Sequence, residues 1–265
     1  MSAQIALIKS NKTMKRLENK TALITGGAGS IGLITAEKFL NEGASVILVD
    51  LNEDALKETI SKLGNERASY IAADVSKSAD VANYAKKAFE KLGKIDIFFN
   101  NAGIEGVVKP IEEYPEEIFD KVLAVNVKGV WLGCKYMLPI MNDGGSIIIT
   151  SSVAGLSGSA GTSAYNTSKH AVIGIMRNVA LEAAPRKIRA NTVHPSPVDN
   201  RMMRSLESGF NEKDAAGVKA MMEKAIPLGR YANPDEIADL VVFLASDESK
   251  FMTGTLNVID GGMGA

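Results

Sequence analysis

Thr21-Ala22-Leu23-Ile24-Thr25-Gly26-Gly27-Ala28-Gly29-Ser30-Ile31-Gly32 decides the architecture of this chain. Its first five residues, apolar and β-branched, read as a short buried strand. The glycine-rich turn comes next, and a helical pattern runs on through Leu40. A second strand, Ser45 to Val49, ends at Asp50. Strand, glycine turn, helix, strand and acid make the βαβ unit of a dinucleotide-binding fold. Glycines allow a tight turn and a close backbone approach to a pyrophosphate. The helix start then offers unpaired N–H groups and the positive end of its dipole. A glycine turn alone is weak, so the rest of the chain has to agree with it.

It does agree, by continued alternation. A helix over Glu53–Leu63 leads to a strand over Ala68–Ala73, which ends at Asp74-Val75. A helix over Ser78–Leu92 leads to a strand over Ile95–Phe99, followed by Asn100-Asn101-Ala102-Gly103. A long helix spans about Glu116 to Leu138 with Asn126 in its middle, and strand Ser146–Ser151 follows. Then come a helix around Tyr165 stopped by Pro185, a strand over Ile188–Val193, a helix over Pro234–Ala245 with Asn233 as its N-cap, and a last strand over Thr255–Ile259. About seven strands alternating with helices imply an α/β fold, a doubly wound parallel sheet with helices on both faces. With no linker or internal repeat, residues 20–265 read as one domain after a tail over 1–19. Residues 195–227 break the rhythm, with Met202, Met203, Leu206, Phe210, Met221 and Met222 in a charged background. This segment reads either as a helical flap over the carboxyl edge of the sheet or as an insertion whose methionines fill its own core.

The totals exclude several function classes. The chain has 265 residues, is 46% hydrophobic and carries a net charge of −1. That balance supports neither nucleic-acid binding nor a basic membrane-facing surface. No apolar run approaches the ~18 residues of a membrane span. The single cysteine, Cys134, rules out an intramolecular disulfide and suits a reducing compartment, so a cytoplasmic location is expected. Two histidines without metal-ligand spacing argue for no metal. Residues 1–13 carry no strand or helix signal with a partner and read as a dispensable tail.

The chemistry-bearing residues lie in Ser163-Ala164-Tyr165-Asn166-Thr167-Ser168-Lys169. Tyr165 and Lys169 are four apart and share one helix face. A neighbouring cation favours the phenolate, so the Tyr165 pKa is expected below its ordinary value of about 10. Taken alone, such a pair is more often a surface neighbour pair than a catalytic one. Ser152, at the end of its strand, is placed to meet the Tyr165 hydroxyl, with Ser151 as its alternative. Asp50 sits where a carboxylate accepts hydrogen bonds from an adenosine ribose and repels a 2′-phosphate. No Arg or Lys lies between Gly26 and Gly32, which favours NAD. The plainer alternative is that Asp50 caps the next helix.

Taken in order, Thr25-Gly26-x-x-x-Ser30-Ile31-Gly32, Asp74, Asn100-Asn101-Ala102-Gly103, Asn126, Ser152, Tyr165-x-x-x-Lys169 and Pro195 make the chain resemble the short-chain dehydrogenase/reductase family from Lys20 to Gly262. The resemblance implies a single-domain Rossmann-type fold and hydride transfer between NAD(H) and a secondary alcohol or its ketone. Tyr165 would be general acid and base, Ser152 would hold the substrate oxygen, Lys169 would tune Tyr165 and bind ribose hydroxyls, and Asn126 would position a water chain. The cofactor would meet Gly26, Gly29, Ser30, Ile31, Gly32, Asp50, Leu51, Asp74, Val75, Asn101, Ala102, Gly103, Tyr165, Lys169, Pro195, Ser196 and Val198. Ser152, Ala154, Met202, Met203 and Leu206 would line the substrate pocket. A homotetramer built through the Asn126 and Tyr165 helices and the C-terminal strand is implied too. Three positions depart from the pattern, the third being Asn200, which stands in place of the usual threonine after Val198. Ser30 replaces the usual middle glycine and is expected to cap the helix or donate to a phosphate, and Ser196 replaces the glycine after Pro195. The competing readings are a non-catalytic dinucleotide-binding regulator on the same fold and a sugar-nucleotide epimerase or dehydratase. The complete Asn126, Ser152, Tyr165 and Lys169 set argues against the first, and the chain's length against the second.

Overall fold

The structure is a computed structural model that describes residues 15–265. Among these residues the strands form one seven-stranded parallel sheet in the order β3-β2-β1-β4-β5-β6-β7. The strands are β1 (Thr21–Thr25), β2 (Ser45–Asp50), β3 (Ala68–Ala72), β4 (Ile95–Asn100), β5 (Met141–Thr150), β6 (Arg189–Pro195) and β7 (Leu256–Ile259). The helices are α1 (Ser30–Asn41), α2 (Glu53–Leu63), α3 (Ser78–Leu92), α4 (Glu116–Leu123), α5 (Gly129–Met137), α6 (Ser163–Ala183), α7 (Arg201–Phe210), α8 (Ala215–Ala225) and α9 (Pro234–Ala245).

Why both faces of the sheet are covered follows from the strand period of two. Leu23, Ile47, Val49, Phe98, Ile147 and Ile149 point to one face, onto Val81 and Tyr84 of α3, Met137 of α5 and Val172 and Met176 of α6. Their neighbours Ala22, Ile24, Val46, Leu48, Ile97, Phe99 and Ile148 point to the other, onto Phe39 and Leu40 of α1 and Val241 and Leu244 of α9. Strands buried on both faces therefore read as continuous apolar runs. Cys134 packs within the first of these layers, and burial pushes its thiol up to about 12, as an inert structural residue requires.

Several details differ from the sequence-based expectations. Packing begins before Lys20: Leu17 is fully buried in the α1 layer, and the Leu17 N–H donates to Glu42 O at 3.0 Å. The expectation that residues 1–13 are dispensable lies outside the described residues. β5 starts at Met141 rather than Ser146, because Met141 pairs with Ile95 before a bulge. β6 runs to Pro195, held by pairing of His194 and Pro195 with Val258 and Ile259. The long helix expected from Glu116 is interrupted by a π-helical turn over Ala124–Lys128, which contains Asn126. Extra-residue turns of this kind have no compositional signature and are frequent at functional sites.

The segment from 195 to 227 folds as α7 and α8. Asn200 caps α7 by accepting the Met203 N–H at 3.2 Å. Met203 is buried against Ile226 and Tyr231, with Leu206 and Met222 beside them. Both readings of the segment thus contain a part of the outcome: it is helical, and Met203, Leu206 and Met222 supply its own small core.

Candidate active site

The carboxyl ends of β1, β4, β5 and β6 meet where the strand order reverses, between β1 and β4. Open parallel sheets offer their ligand crevice at that point. Three strand ends are tied together by Asn101, whose Nδ2 donates to Thr25 O at 3.2 Å and whose Oδ1 accepts from Thr150 Oγ1 at 2.9 Å. Thr25 Oγ1 accepts the N–H groups of Asn101 and Ala102 at 2.9 and 3.1 Å. Sequence reasoning missed Thr25 and Thr150 as braces, since a threonine at a strand end carries no signal of its partner.

The glycine turn packs tightly onto this floor. Gly26 has φ +66°, and a Cβ there would lie 3.0 Å from Ala102 Cα. A Cβ on Gly32 would collide with the Gly26 carbonyl, so the helix start can approach the strand only as glycine. The N-cap of α1 is Gly29, with no side-chain cap bond, and Ser30 is already helical. The expected capping role of Ser30 is therefore not realised, because a cap needs the extended backbone that Gly29 adopts. The first N–H groups of α1 point out of the helix end, as at any helix start. Asp50 accepts the Ala28 N–H at 3.1 Å through Oδ2 and the Leu51 N–H at 2.8 Å through Oδ1. Capping of α2 belongs to Asn52, which accepts the Ala55 N–H at 3.0 Å. That leaves Asp50 at the rim, beside Leu51, which is 71% exposed.

Asp74 turns its carboxylate to Ser76, 2.6 Å from its Oγ. The Ser76 bonds and Lys77 hold its pKa below the usual range despite the opposing effect of burial. Val75 is packed so close to α5 that Gly129 can carry no larger side chain without displacing it, a Cβ there standing 3.1 Å from Val75 Cγ2. At the end of β6, the Ser196 N–H donates to Ile259 O at 3.2 Å, and Val198 bridges to Ala232.

Lys169, Tyr165, Ser152 and Asn126 sit across this floor. Lys169 is 4% exposed and donates to Thr150 O at 2.9 Å. Its Nζ lies 5.5 Å from the Tyr165 ring centroid. Burial lowers Lys169 to about 8. Tyr165 is pushed up to about 12 by the protein atoms crowding its phenol, against the pull of Ser152 and with a push from the Glu105 charge. This is opposite to the depressed pKa expected from the lysine, because removal of the phenolate from water dominates. Ser152 Oγ accepts the Ala154 N–H at 3.2 Å and faces Pro195 O at 3.4 Å. Its neighbour Ser151 is buried and donates to Lys169 O at 2.8 Å. Of the two serines, Ser151 is occupied in holding α6.

Asn126 is 1% exposed. Its Oδ1 accepts the Ile104 N–H at 2.8 Å, and its Nδ2 donates to Ile104 O at 2.9 Å and Ser168 Oγ at 3.0 Å. A Cβ on Gly103 would stand 3.3 Å from Asn126 Oδ1 and 3.5 Å from Lys169 Nζ. Gly103 thus keeps open a space lined by both. Two further residues were given no role from the sequence. His194 contacts Ser152 O at 3.0 Å through Nδ1, and Glu105, 9% exposed in its side chain, reaches Arg201 Nη1 at 3.3 Å. Among the described residues no cluster of His, Cys, Asp or Glu suits a metal, and no helix is long and apolar enough to cross a membrane.

Comparison with known proteins gives a consistent picture. A family model described as Enoyl-(Acyl carrier protein) reductase matches residues 26–264. Oxidoreductase UcpA of Escherichia coli (strain K12) is 40% identical over 258 residues, 94% of this chain and 96% of that protein. The crystal structure of levodione reductase superposes with a TM-score of 0.90 at 35% identity, covering 93% of this chain and 98% of the other. That of NAD+-bound xylitol dehydrogenase does so with a TM-score of 0.87 at 34% identity, covering 94% and 100%.

Proposed function

The chain belongs to the short-chain dehydrogenase/reductase family and is an oxidoreductase of it, and from that premise we propose that it transfers hydride between NAD(H) and a small secondary alcohol or its ketone. The observation that carries this reading is the convergence of Ser152, Tyr165 and Lys169 beside a glycine turn closed by Asp50. The cradle fits a dinucleotide: Gly26, Gly29 and the start of α1 suit a pyrophosphate, Asp50 and Leu51 a ribose, Asp74 and Val75 an adenine, and Gly103 a ribose next to Lys169. A nicotinamide held there would supply the hydride or accept it.

The side chains handle the proton and the oxygen. At neutral pH Tyr165 keeps its proton and donates it to the carbonyl oxygen in reduction. In oxidation it must first ionise, so the oxidation rate climbs with rising pH while reduction is favoured at lower pH. Ser152 donates to the substrate oxygen as charge develops there. At neutral pH, below its own value of about 8, Lys169 is charged and steadies the small phenolate fraction of Tyr165, and it holds ribose hydroxyls. Asn126 braces the loop beyond Lys169, on the side where the proton leaves. Ala154 and Met202 face the substrate in this reading, whereas Met203 and Leu206 act through the packing of the flap.

The direct test is nicotinamide absorbance with a panel of secondary alcohols and ketones. No turnover of any of them with either cofactor would refute the proposal. Cofactor choice is tested by Asp50→Ala with Leu51→Arg. Losing charged hydrogen bonds to ribose predicts roughly a tenfold or greater fall in NAD efficiency, with a gain for NADP. An unchanged ratio of the two efficiencies would remove Asp50 from the ribose.

We also assign the apolar face formed by Leu123, Val127, Trp131, Ala171 and Ile175 to self-association as a homotetramer. Trp131 is 51% exposed on it, a large apolar surface to leave in water. Sedimentation is expected to show a tetramer that Trp131→Glu breaks into smaller species. Identical sedimentation of both proteins would argue against this face. The buried thiol of Cys134 accords with a cytoplasmic setting.

A further inference from the structure

His194 is fully buried near the end of β6, and both of its ring nitrogens are engaged. Nδ1 lies 3.0 Å from Ser152 O, and Nε2 lies 2.7 Å from Thr192 Oγ1. Thr192 and His194 are two apart on one strand, so both project to the same face of the sheet. It is the face that carries α6, where Ala190, two residues further back, packs as well.

These contacts fix the tautomer. A carbonyl oxygen only accepts, so Nδ1 carries the hydrogen that it shares with Ser152 O. Burial holds the ring below its ordinary pKa, so at neutral pH it is uncharged and Nε2 is bare. Nε2 therefore accepts the Thr192 hydroxyl. The other acceptor within reach of that hydroxyl, Thr255 O at 3.4 Å, already takes the Thr192 N–H at 3.1 Å. Thr192 thus holds the ring in the one neutral tautomer that can donate to Ser152.

Ser152 opens a short 3₁₀ turn, Val153–Gly155, with an extended backbone. Its carbonyl accepts the Gly155 N–H at 2.9 Å as well as the His194 ring, which occupies both lone pairs. Its hydroxyl accepts the Ala154 N–H at 3.2 Å and lies 3.4 Å from Pro195 O, a long contact that leaves its hydrogen free for a closer acceptor. The carbonyl and the hydroxyl are both set against consecutive residues of β6, His194 and Pro195.

We propose that His194 is a positioning residue: its Nδ1–H pins the Ser152 carbonyl so that the Ser152 hydroxyl stands where the substrate oxygen develops charge. The inference rests on the reading of Ser152 as the donor to that oxygen. That donation counts most in the transition state. Displacing Ser152 should therefore lower kcat and leave KM and NAD affinity near their wild-type values.

Two amide substitutions separate this role from simple filling of the core. Asparagine puts its Nδ2 near the place of Nδ1 and keeps the bond to Ser152 O. Glutamine, one methylene longer, puts its amide near the place of Nε2 and keeps the bond to Thr192. His194→Gln should lower kcat by roughly tenfold to a hundredfold, the scale of a displaced group at a reacting centre, whereas His194→Asn should retain most of the turnover. A structural histidine would rank them equal or the other way, since the Thr192 contact is the shorter of the two. Both substitutions are repeated on Ser152→Ala, where glutamine should cost little more if His194 acts through Ser152. An equal cost in both backgrounds, or asparagine no better than glutamine, would overturn the proposal. If Ser152→Ala turns over as fast as wild type, the reading of Ser152 fails and this inference fails with it. If Ser152→Ala is slow while the two His194 variants are alike, the reading of Ser152 stands and only the role of His194 falls. A further readout needs neither turnover nor a His194 variant. The chain has two histidines, so isotope-labelled histidine gives two rings in a nitrogen NMR spectrum. The signal lost in His170→Gln, at an exposed position, identifies His170. The remaining ring should show a protonated Nδ1 and a bare Nε2 at neutral pH. A proton on Nε2 would overturn the proposal even if both His194 variants failed to fold.

Discussion

Tyr165→Phe should lower turnover by roughly a hundredfold to ten-thousandfold, the usual worth of a positioned acid or base. The variant keeps the ring, its packing and its place on α6, and loses only the hydroxyl that Ser152 faces. NAD affinity should change little, since the cradle is built mainly from the glycine turn, Asp50 and the loop after β4. With the Tyr165 pKa pushed up to about 12, the wild-type enzyme should oxidise alcohols faster as pH rises through the alkaline range. The variant's residual activity should lack that limb. The check is turnover, pH profile and NAD titration on both proteins with a good substrate. Near-wild-type turnover, with chemistry shown to be limiting, would reduce Tyr165 and Lys169 to structural neighbours.

Lys169→Met should separate the second role. The lysine is buried, and removal from water pulls its pKa to about 8, so part of its charge is already lost at mildly alkaline pH. Methionine fills similar volume without that desolvation cost. The Thr150 carbonyl loses the donor it now has at 2.9 Å, which offsets some of the gain, so the melting temperature should move little. Turnover should fall at least about a hundredfold, because the phenolate loses its cation. NAD affinity should fall with it, by roughly tenfold, through the missing ribose contact. The joint loss is the signature: if turnover falls and NAD binding stays at the wild-type value, Lys169 does not hold the ribose.

Much of this molecule is legible in its sequence because local rules and tertiary outcome agree. The bounds of α2 and α9 are as expected because Asn52 caps the first, Gly64 ends it in a left-handed conformation, and Asn233 with Pro234 opens the second. The sheet is legible because its apolar runs are buried on both faces. Where the sequence fell short, the deciding interaction came from far along the chain. Glu105 carries no signal of its own, and its partner Arg201 lies ninety-six positions further on. Leu17 reads as tail until Glu42 pairs with it. The Tyr165 pKa differs for another reason: helical spacing supplied the lysine, but burial of the phenol, which spacing does not show, raises the value.

The strand order also governs how the chain can assemble. β1, β2 and β3 are laid down outward in one direction, each beside the one before. The chain then returns to pair β4 with β1, Ala22 meeting Ile97, and β5, β6 and β7 follow outward on that side. Every strand but β4 finds its partner in the strand made just before it. The return carries the largest loop-closure cost in the sheet and is the step expected to pace folding. The crevice between β1 and β4 lies on this same seam, so a nascent chain has no binding cleft until its slowest pairing is made. Once growth ends, the two outer strands are only five and four residues long, so each leaves only a short unpaired edge.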